Sequence, residues 1–246
     1  MILRQFLHHD PIGISYLFGC GRHASGAVVD PVGDIAPYLR ASEETGIRIK
    51  FVVDTHIHAD HLSAGRQLAE ATGADYVLSS RAQVGFPFRA VEDDDVLPLG
   101  NVIAAIMHTP GRTSEHLCLL VTDRTRADEP WFVLTAHTLM IGDLGRTGAR
   151  LQRRAGRERP VPEHPAAQGP ARLRGGSARR LAGSVCGRRL SGKPISTIGF
   201  EKRHNAAFRT ADEAEFVRVM TAEIPPAPPE AARLRALNAG ATAAPA

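Results

Sequence analysis

Between Thr55 and His61 the chain reads Thr-His-Ile-His-Ala-Asp-His, one residue beyond the apolar run Ile49-Lys50-Phe51-Val52-Val53. The run is short, rich in β-branched and aromatic residues and followed at once by polar ones, so it reads as a buried β-strand. Side chains at i and i+2 of an extended segment share a face, and His56 and His58 therefore converge just past the strand end. After the turn through Ala59, Asp60 and His61 can approach the same ion, or a neighbour about 3.5–4 Å away. Neutral imidazole and carboxylate suit zinc or iron and do not require thiolate. These four residues are candidate metal ligands, Asp60 is also the candidate catalytic carboxylate, and Fe(II) or Zn(II) is the expected cofactor.

The flanking pattern alternates strand and helix. Ile14–Gly19 and Ala24–Asp30 read as strands, Asp34–Gly46 as a helix ended by glycine, Ile47–Asp54 as the strand before the motif, Leu62–Ala74 as an amphipathic helix closed by Gly73, and Asp75–Ser80 as another strand. From Val91 onward, Asp93–Arg112, Glu115–Asp123 and Pro130–Asp143 look like consecutive strands joined by charged or Gly/Pro turns, the pattern of a second, largely antiparallel sheet. Two sheets with helices outside would bury both. Near the end, Thr210 followed by Glu213 suggests a capping box opening an amphipathic helix, and a Pro-rich stretch precedes a short helix; both are expected to be packing and surface elements. One domain over residues 1–205, then a C-terminal helix and Pro/Ala-rich tail over 206–246, is the expected division.

A formal charge of +4 is the kind of excess that suits a nucleic-acid partner, but its distribution argues against one. Residues 148–181 hold nine arginines against Glu158 and Glu163, a local excess of +7, which leaves the rest of the chain at −3. That segment has no Ile, Phe, Trp, Tyr or Met, so it is expected to form a loose or disordered loop. No window approaches the run of roughly 18 apolar residues of a membrane span, and the N-terminus lacks the pattern of a secretory signal. Three widely spaced cysteines, Cys20, Cys118 and Cys186, argue against a disulfide framework. A cytoplasmic protein with no nucleic-acid or membrane partner is expected, and a homodimer is compatible with the sequence.

Residues Thr55–Ala74 resemble the metallo-β-lactamase superfamily signature T-H-x-H-x-D-H, and the Ala before Asp60 and the residues that follow are most similar to its persulfide dioxygenase branch. The likeness extends through His108–Val121, Leu134–Thr147 and Gly183–Asn205. The resemblance implies an αββα sandwich with the metal at the edge between two mixed sheets. It implies, for the dioxygenase branch, one iron held by the first motif histidine, a histidine in T-P-G-H-T and an aspartate in G-D-[TA]-L. For the glyoxalase II branch it implies two zinc ions, all four motif residues and hydrolysis of a hydroxyacylglutathione thioester. The substrate would be a small thiol or persulfide, gripped by Arg146 and by Lys202 and Arg203.

The chain departs from that pattern at ligand positions. Arg112 stands where T-P-G-H-T has histidine, and a guanidinium has no lone pair for a metal. Ala136-His137 stands where the family has Gly-Asp, so His137 is the candidate ligand there. Arg180 falls near a late P-G-H of the hydrolases. An inactive pseudoenzyme retaining the fold is the reading these changes support. Codons compatible with Ala171–Leu181, read one base later, spell Pro-Asp-Tyr-Val-Glu-Val-Leu-Pro-Gly-Ala, which suits a strand and turn. The hypothesis is that residues from about 148 to 181 are a frameshifted translation, and resequencing that shows an uninterrupted frame would sink it. Asp54, His108 and His116 are candidates for orienting ligands, with His116 also a candidate replacement ligand, and Cys186 is a thiol near the expected site.

Overall fold

The computed structural model describes residues 1–10, 12–145, 174–176, 193–210, 212–221 and 228–241. A six-stranded sheet has the order β1 (Ile2–His9), β2 (Ile12–Cys20), β3 (Ser25–Val29), β4 (Arg48–Val53), β5 (Asp75–Ser79) and β6 (Arg89–Val91). Its first three strands run antiparallel, and β3 to β6 run parallel. The parallel steps need crossovers, which α1 (Ala36–Thr45) and α2 (Gly65–Thr72) supply for β3–β4 and β4–β5. Each helix ends on a glycine at φ +65°, Gly46 and Gly73, where a side chain would be strained.

The second sheet contains β7 (Val96–Leu99), β8 (Val102–His108), β9 (Leu117–Asp123) and β10 (Phe132–Leu134), antiparallel throughout, with β13 (Arg174–Gly176) parallel to β10 at the edge. A two-stranded hairpin, β11 (Leu139–Met140) with β12 (Asp143–Leu144), follows β10. Alternation along the strands divides the apolar residues into layers. Tyr16, Phe18, Phe51 and Val53 meet Leu97, Ile106, Leu119 and Phe132 between the sheets. Leu17, Val28 and Val52 turn the other way and pack with Tyr38 and Leu68 under the helices. Behind the second sheet, Cys118, Leu120 and Val133 pack against Ile198, which opens α3 (Ile198–His204). Both sheets are covered on both faces, the αββα sandwich expected from the sequence.

Several local expectations change. β1 and β6 had no counterpart in the sequence reading: β1 is an edge strand of half-buried and exposed residues, and β6 has only three residues. α4 (Glu213–Thr221) is not opened by Thr210. Asp212 caps it, its Oδ1 accepting the Glu215 amide at 2.7 Å, because a cap must stand immediately before the first helical residue. Most of 148–181 lies outside the described residues, as do Arg146, Arg180 and Cys186, but Arg174–Gly176 pairs with β10 where a loop was expected. Under the frameshift hypothesis these residues correspond to Val-Glu-Val of the alternative frame. No helix among the described residues is long and apolar enough to cross a membrane.

Candidate metal centre

Three chain segments meet at the carboxyl end of β4: the motif itself, the β8–β9 loop and the turn after β10. The Leu117 amide donates to Thr55 O at 2.8 Å, so β9 begins beside the motif. Thr138 Oγ1 donates to Thr109 Oγ1 at 3.0 Å, joining the other two segments. The result is a pocket of imidazoles. His56, His58, His61, His116 and His137 are all buried, with His58, His116 and His137 fully so. Ring centroids of His56 stand 4.3 Å from His58, 5.1 Å from His116 and 4.9 Å from His137, and His58 and His61 are 4.4 Å apart.

Asp30, at the end of β3, sets the orientation of the first two rings. It sits at φ +50°, a left-handed conformation that aspartate adopts more readily than most residues. Its carboxylate accepts from the Thr55 amide at 2.8 Å and from the Thr55 hydroxyl at 2.9 and 3.0 Å. A carboxylate only accepts, so the single Thr55 hydroxyl proton points at Asp30, and Thr55 Oγ1 must accept from His56 Nδ1, 3.0 Å away. That places the His56 lone pair on Nε2, which lies 3.1 Å from His137 Nδ1. Asp30 Oδ1 also lies 3.1 Å from His58 Nε2 at ion-pair distance, without the alignment of a hydrogen bond, and Asp54 Oδ1 lies 3.7 Å away. His58 Nδ1 is then the ring nitrogen that would meet a cation.

Asp54 is held from below by Ser63 and Tyr76, whose hydroxyls donate to Oδ2 at 2.5 and 2.7 Å. Burial first, then the Asp54 charge, raises the Tyr76 phenol so that it keeps its proton. Gly65 is required here, since a Cβ would stand 2.6 Å from the Tyr76 ring and 3.1 Å from Asp54 Oδ2. Asp60, half-buried, lies 2.9 Å from His61 Nδ1 through Oδ1, and ligand atoms of His58, Asp60 and His61 all fall within 4.8 Å of one another.

His116 was considered as an orienting residue or as a replacement ligand. Its Nε2 accepts the His137 amide at 3.3 Å, while Nδ1 lies 3.1 Å from both Thr109 and Thr138 hydroxyls. These contacts make it a brace for His137. Burial lowers its pKa to about 3, outweighing the nearby carboxylates, so the ring is neutral. Arg112 is half-buried and its charge reaches His116 strongly enough to depress it further. His108 Nε2 donates to Ser114 O at 2.8 Å and braces the β8–β9 loop.

His137 follows Ala136, whose φ of +43° lies in the left-handed region. A glycine would enter it without cost, and an L side chain there costs about 1–2 kcal/mol. Lys202 and Arg203 are exposed on the last turn of α3. That helix is anchored on the hairpin after His137 by Glu201, which accepts the Gly142 amide at 2.9 Å.

Sequence reasoning missed the C-terminal contribution altogether. Arg235 and Asn238 of α5 (Ala231–Asn238), expected to be only a packing and surface element, reach the motif loop: Arg235 donates to Ile57 O at 2.9 Å and to Glu115 Oε1 at 2.9 Å, and Asn238 to His58 O and His61 O at 2.9 and 2.8 Å. No local signal in a short Ala-rich helix marks such contacts across about 180 residues of chain. Asp30 was missed for the same reason.

The donor set fits a divalent cation. Two imidazole nitrogens each about 2.0–2.1 Å from one ion stand roughly 3 Å apart, the separation of His56 Nε2 and His137 Nδ1. Arg112 does not fit as a ligand.

Residues 13–127 match the family described as the metallo-beta-lactamase superfamily. Among curated proteins, human persulfide dioxygenase ETHE1, mitochondrial, is 26% identical over 148 residues, 60% of this chain and 56% of its own length. A hydroxyacylglutathione hydrolase of Methylobacillus flagellatus is 29% identical over 105 residues, 42% of each chain. The chain thus spans about half the length of the curated relatives it matches. A metallo-beta-lactamase from Staphylococcus aureus superposes with a TM-score of 0.86 at 27% identity, covering 97% of this chain and 72% of that one. ETHE1 from Myxococcus xanthus has a TM-score of 0.78 at 24% identity over 97% and 99% of the chains, a likeness of fold. Residues 13–127 of this chain are therefore similar to the metallo-beta-lactamase superfamily, and the chain has the metallo-beta-lactamase fold.

Proposed function

We propose that the chain is a metal-dependent enzyme acting on a glutathione-type sulfur compound, and that it is persulfide dioxygenase-like, oxidising the terminal sulfur of a glutathione persulfide to sulfite. The observation that carries this reading is the hydrogen-bonded approach of His56 Nε2 and His137 Nδ1 at 3.1 Å among buried imidazoles, at two of the three positions where the resembled branch holds iron. His56 and His137 would hold Fe(II), with His58, Asp60 and His61 as the adjoining donors. When bound, iron would supply the redox chemistry with dioxygen and substrate sulfur. The protein's own residues do the rest. Asp30 and Thr55 fix the His56 tautomer, His116 braces His137, and Asp60 is the acid-base carboxylate beside His61. Lys202 and Arg203, with Arg146 outside the described residues, would steer the anionic thiol. Arg112 removes one ligand, so metal binding and turnover are expected to be weak.

A second reading, a zinc-dependent thioester hydrolase, is favoured by the His58, Asp60 and His61 group, whose ligand atoms lie within 4.8 Å and make a second donor set. The third, an inactive chain with the fold retained, is favoured by Arg112. Oxygen uptake with glutathione persulfide, run beside thioester hydrolysis of a hydroxyacylglutathione, separates them. Oxygen consumption supports the first reading, hydrolysis without oxygen consumption the second, and neither activity in metal-loaded protein the third.

A further inference from the structure

We propose that Arg235 and Asn238 of α5 are positioning residues that hold the backbone of the histidine loop in its ligating shape; this rests on the reading that the loop binds a metal. The segment from Asp54 to Ala64 has no helix or paired strand beyond one bridge, Val32 with Ser63, so its carbonyls need partners from elsewhere. Asn238 provides them with every polar group it has. Its two amide hydrogens go to His58 O and His61 O, at 2.9 and 2.8 Å, and its Oδ1 accepts the Ser63 amide at 3.0 Å. The three contacts span the turn that carries Asp60. Only asparagine has two donors and an acceptor at that reach; aspartate, nearly the same shape, would set an anionic oxygen against two carbonyls.

Arg235 ties that loop to the neighbouring one. One guanidinium nitrogen donates to Ile57 O and the other to Glu115 Oε1, which also accepts the Ile57 amide at 3.3 Å. Glu115 is buried and directly precedes His116. The bridge therefore fixes the motif and the His116 loop together. Burial raises the Glu115 carboxyl, yet the Arg235 charge and the bonds it receives outweigh that and hold it ionised below the usual range.

α5 contributes no fully buried residue, its Leu234 and Leu237 being half-buried. Besides these polar contacts, the Gly85 amide donates to Ala239 O at 2.8 Å, and Gly240 at φ +94° lies close against Phe86. Side chains that orient a ligating loop alter metal affinity by about 10- to 100-fold when removed.

The test uses the full chain, with zinc alone as the probe. Zinc affinity by chelator competition and backbone hydrogen exchange of metal-free protein are measured for Asn238→Ala, Asn238→Asp, Arg235→Ala and Arg235→Lys, with Arg233→Ala as control because Arg233 is exposed and pairs with exposed Glu230. The expected result is zinc affinity lowered about 10- to 100-fold in Asn238→Ala and no less in Asn238→Asp, with faster exchange at residues 57–63, and no change in the control. A helix that merely packs would tolerate the isosteric aspartate, so Asn238→Asp matching the parent in both measurements overturns the proposal. Should an alanine variant fail to fold, Arg235→Lys keeps the charge but cannot span Ile57 O and Glu115, and the same two readouts decide. If the parent itself binds no zinc, the proposed function fails, and exchange of residues 57–63 alone supports or overturns the positioning role.

Discussion

Asp30→Asn changes one atom and reaches two histidines. In the parent, Asp30 compels Thr55 to donate to it, so Thr55 Oγ1 accepts from His56 Nδ1 and the lone pair of His56 stands on Nε2. The asparagine oxygen can still accept the Thr55 amide, but its NH2 then faces the Thr55 hydroxyl. The hydroxyl proton turns to His56 Nδ1, and the ring proton moves to Nε2, the nitrogen that faces His137. The retained oxygen, at the Oδ1 position, still faces His58 Nε2 at 3.1 Å but without the carboxylate's charge. The ligating nitrogen of His56 is thereby disfavoured, and the proton on His58 Nε2 is held less firmly. Loss of a carboxylate that sets a ligating imidazole costs about 10- to 100-fold in metal affinity, or about 1.4 to 2.8 kcal/mol at tenfold per 1.4 kcal/mol. Folding stability of metal-free protein should fall as well, by about 1–3 kcal/mol, since two charge-assisted hydrogen bonds become neutral ones. The assays are chelator competition with zinc and histidine 15N–1H correlation spectra, which report the protonated ring nitrogen. Unchanged zinc affinity together with an unchanged His56 tautomer would refute the reasoning.

Four further outcomes are expected. Arg112→His combined with His137→Asp should raise bound metal in purified protein by restoring two donors of the resembled pattern; no gain on elemental analysis counts against the ligand assignment. Ala136→Gly should stabilise the chain by about 1 kcal/mol, a rise in Tm of roughly 2–4 °C, and an unchanged or lower Tm contradicts the strain at φ +43°. His116 has a folded pKa of about 3 against about 6.5 unfolded, so the unfolded chain binds the extra proton and stability falls as pH drops below about 6.5. Between pH 7 and 5 the loss should be about 2 kcal/mol in metal-free protein, read by urea denaturation, and His116→Gln should flatten that slope. Resequencing through residues 148–181 should reveal a shifted frame, since the strand Arg174–Gly176 coincides with the alternative Val-Glu-Val; a clean frame removes the hypothesis.

The parts legible in the sequence are those encoded locally. Gly46 and Gly73 stop two helices, and the apolar runs of β8 and β9, set off by charged or Gly/Pro turns, mark a second sheet. The motif residues lie within seven positions, so their convergence could be argued from strand geometry. His137, more than 70 residues away, was reached only through resemblance, and Ala136 shows why: the backbone there takes a glycine-like φ with an alanine in place. What stayed hidden is long-range. Asp30 reaches the motif across 25 residues, and Asn238 across 177 to 180. A short Ala-rich helix has no periodicity that announces two hydrogen-bonding side chains, and a three-residue strand such as β6 owes its pairing to its neighbours.

The most direct measurement is a cobalt(II) titration of metal-free protein followed by visible absorption, comparing the parent with His56→Ala and His137→Ala. The account predicts a ligand-field spectrum in the parent, from a cation bound to the histidine pocket, that is lost in both variants. Absence of that spectrum at saturating cobalt, or its persistence in both variants, would contradict the assignment of these imidazoles as metal ligands.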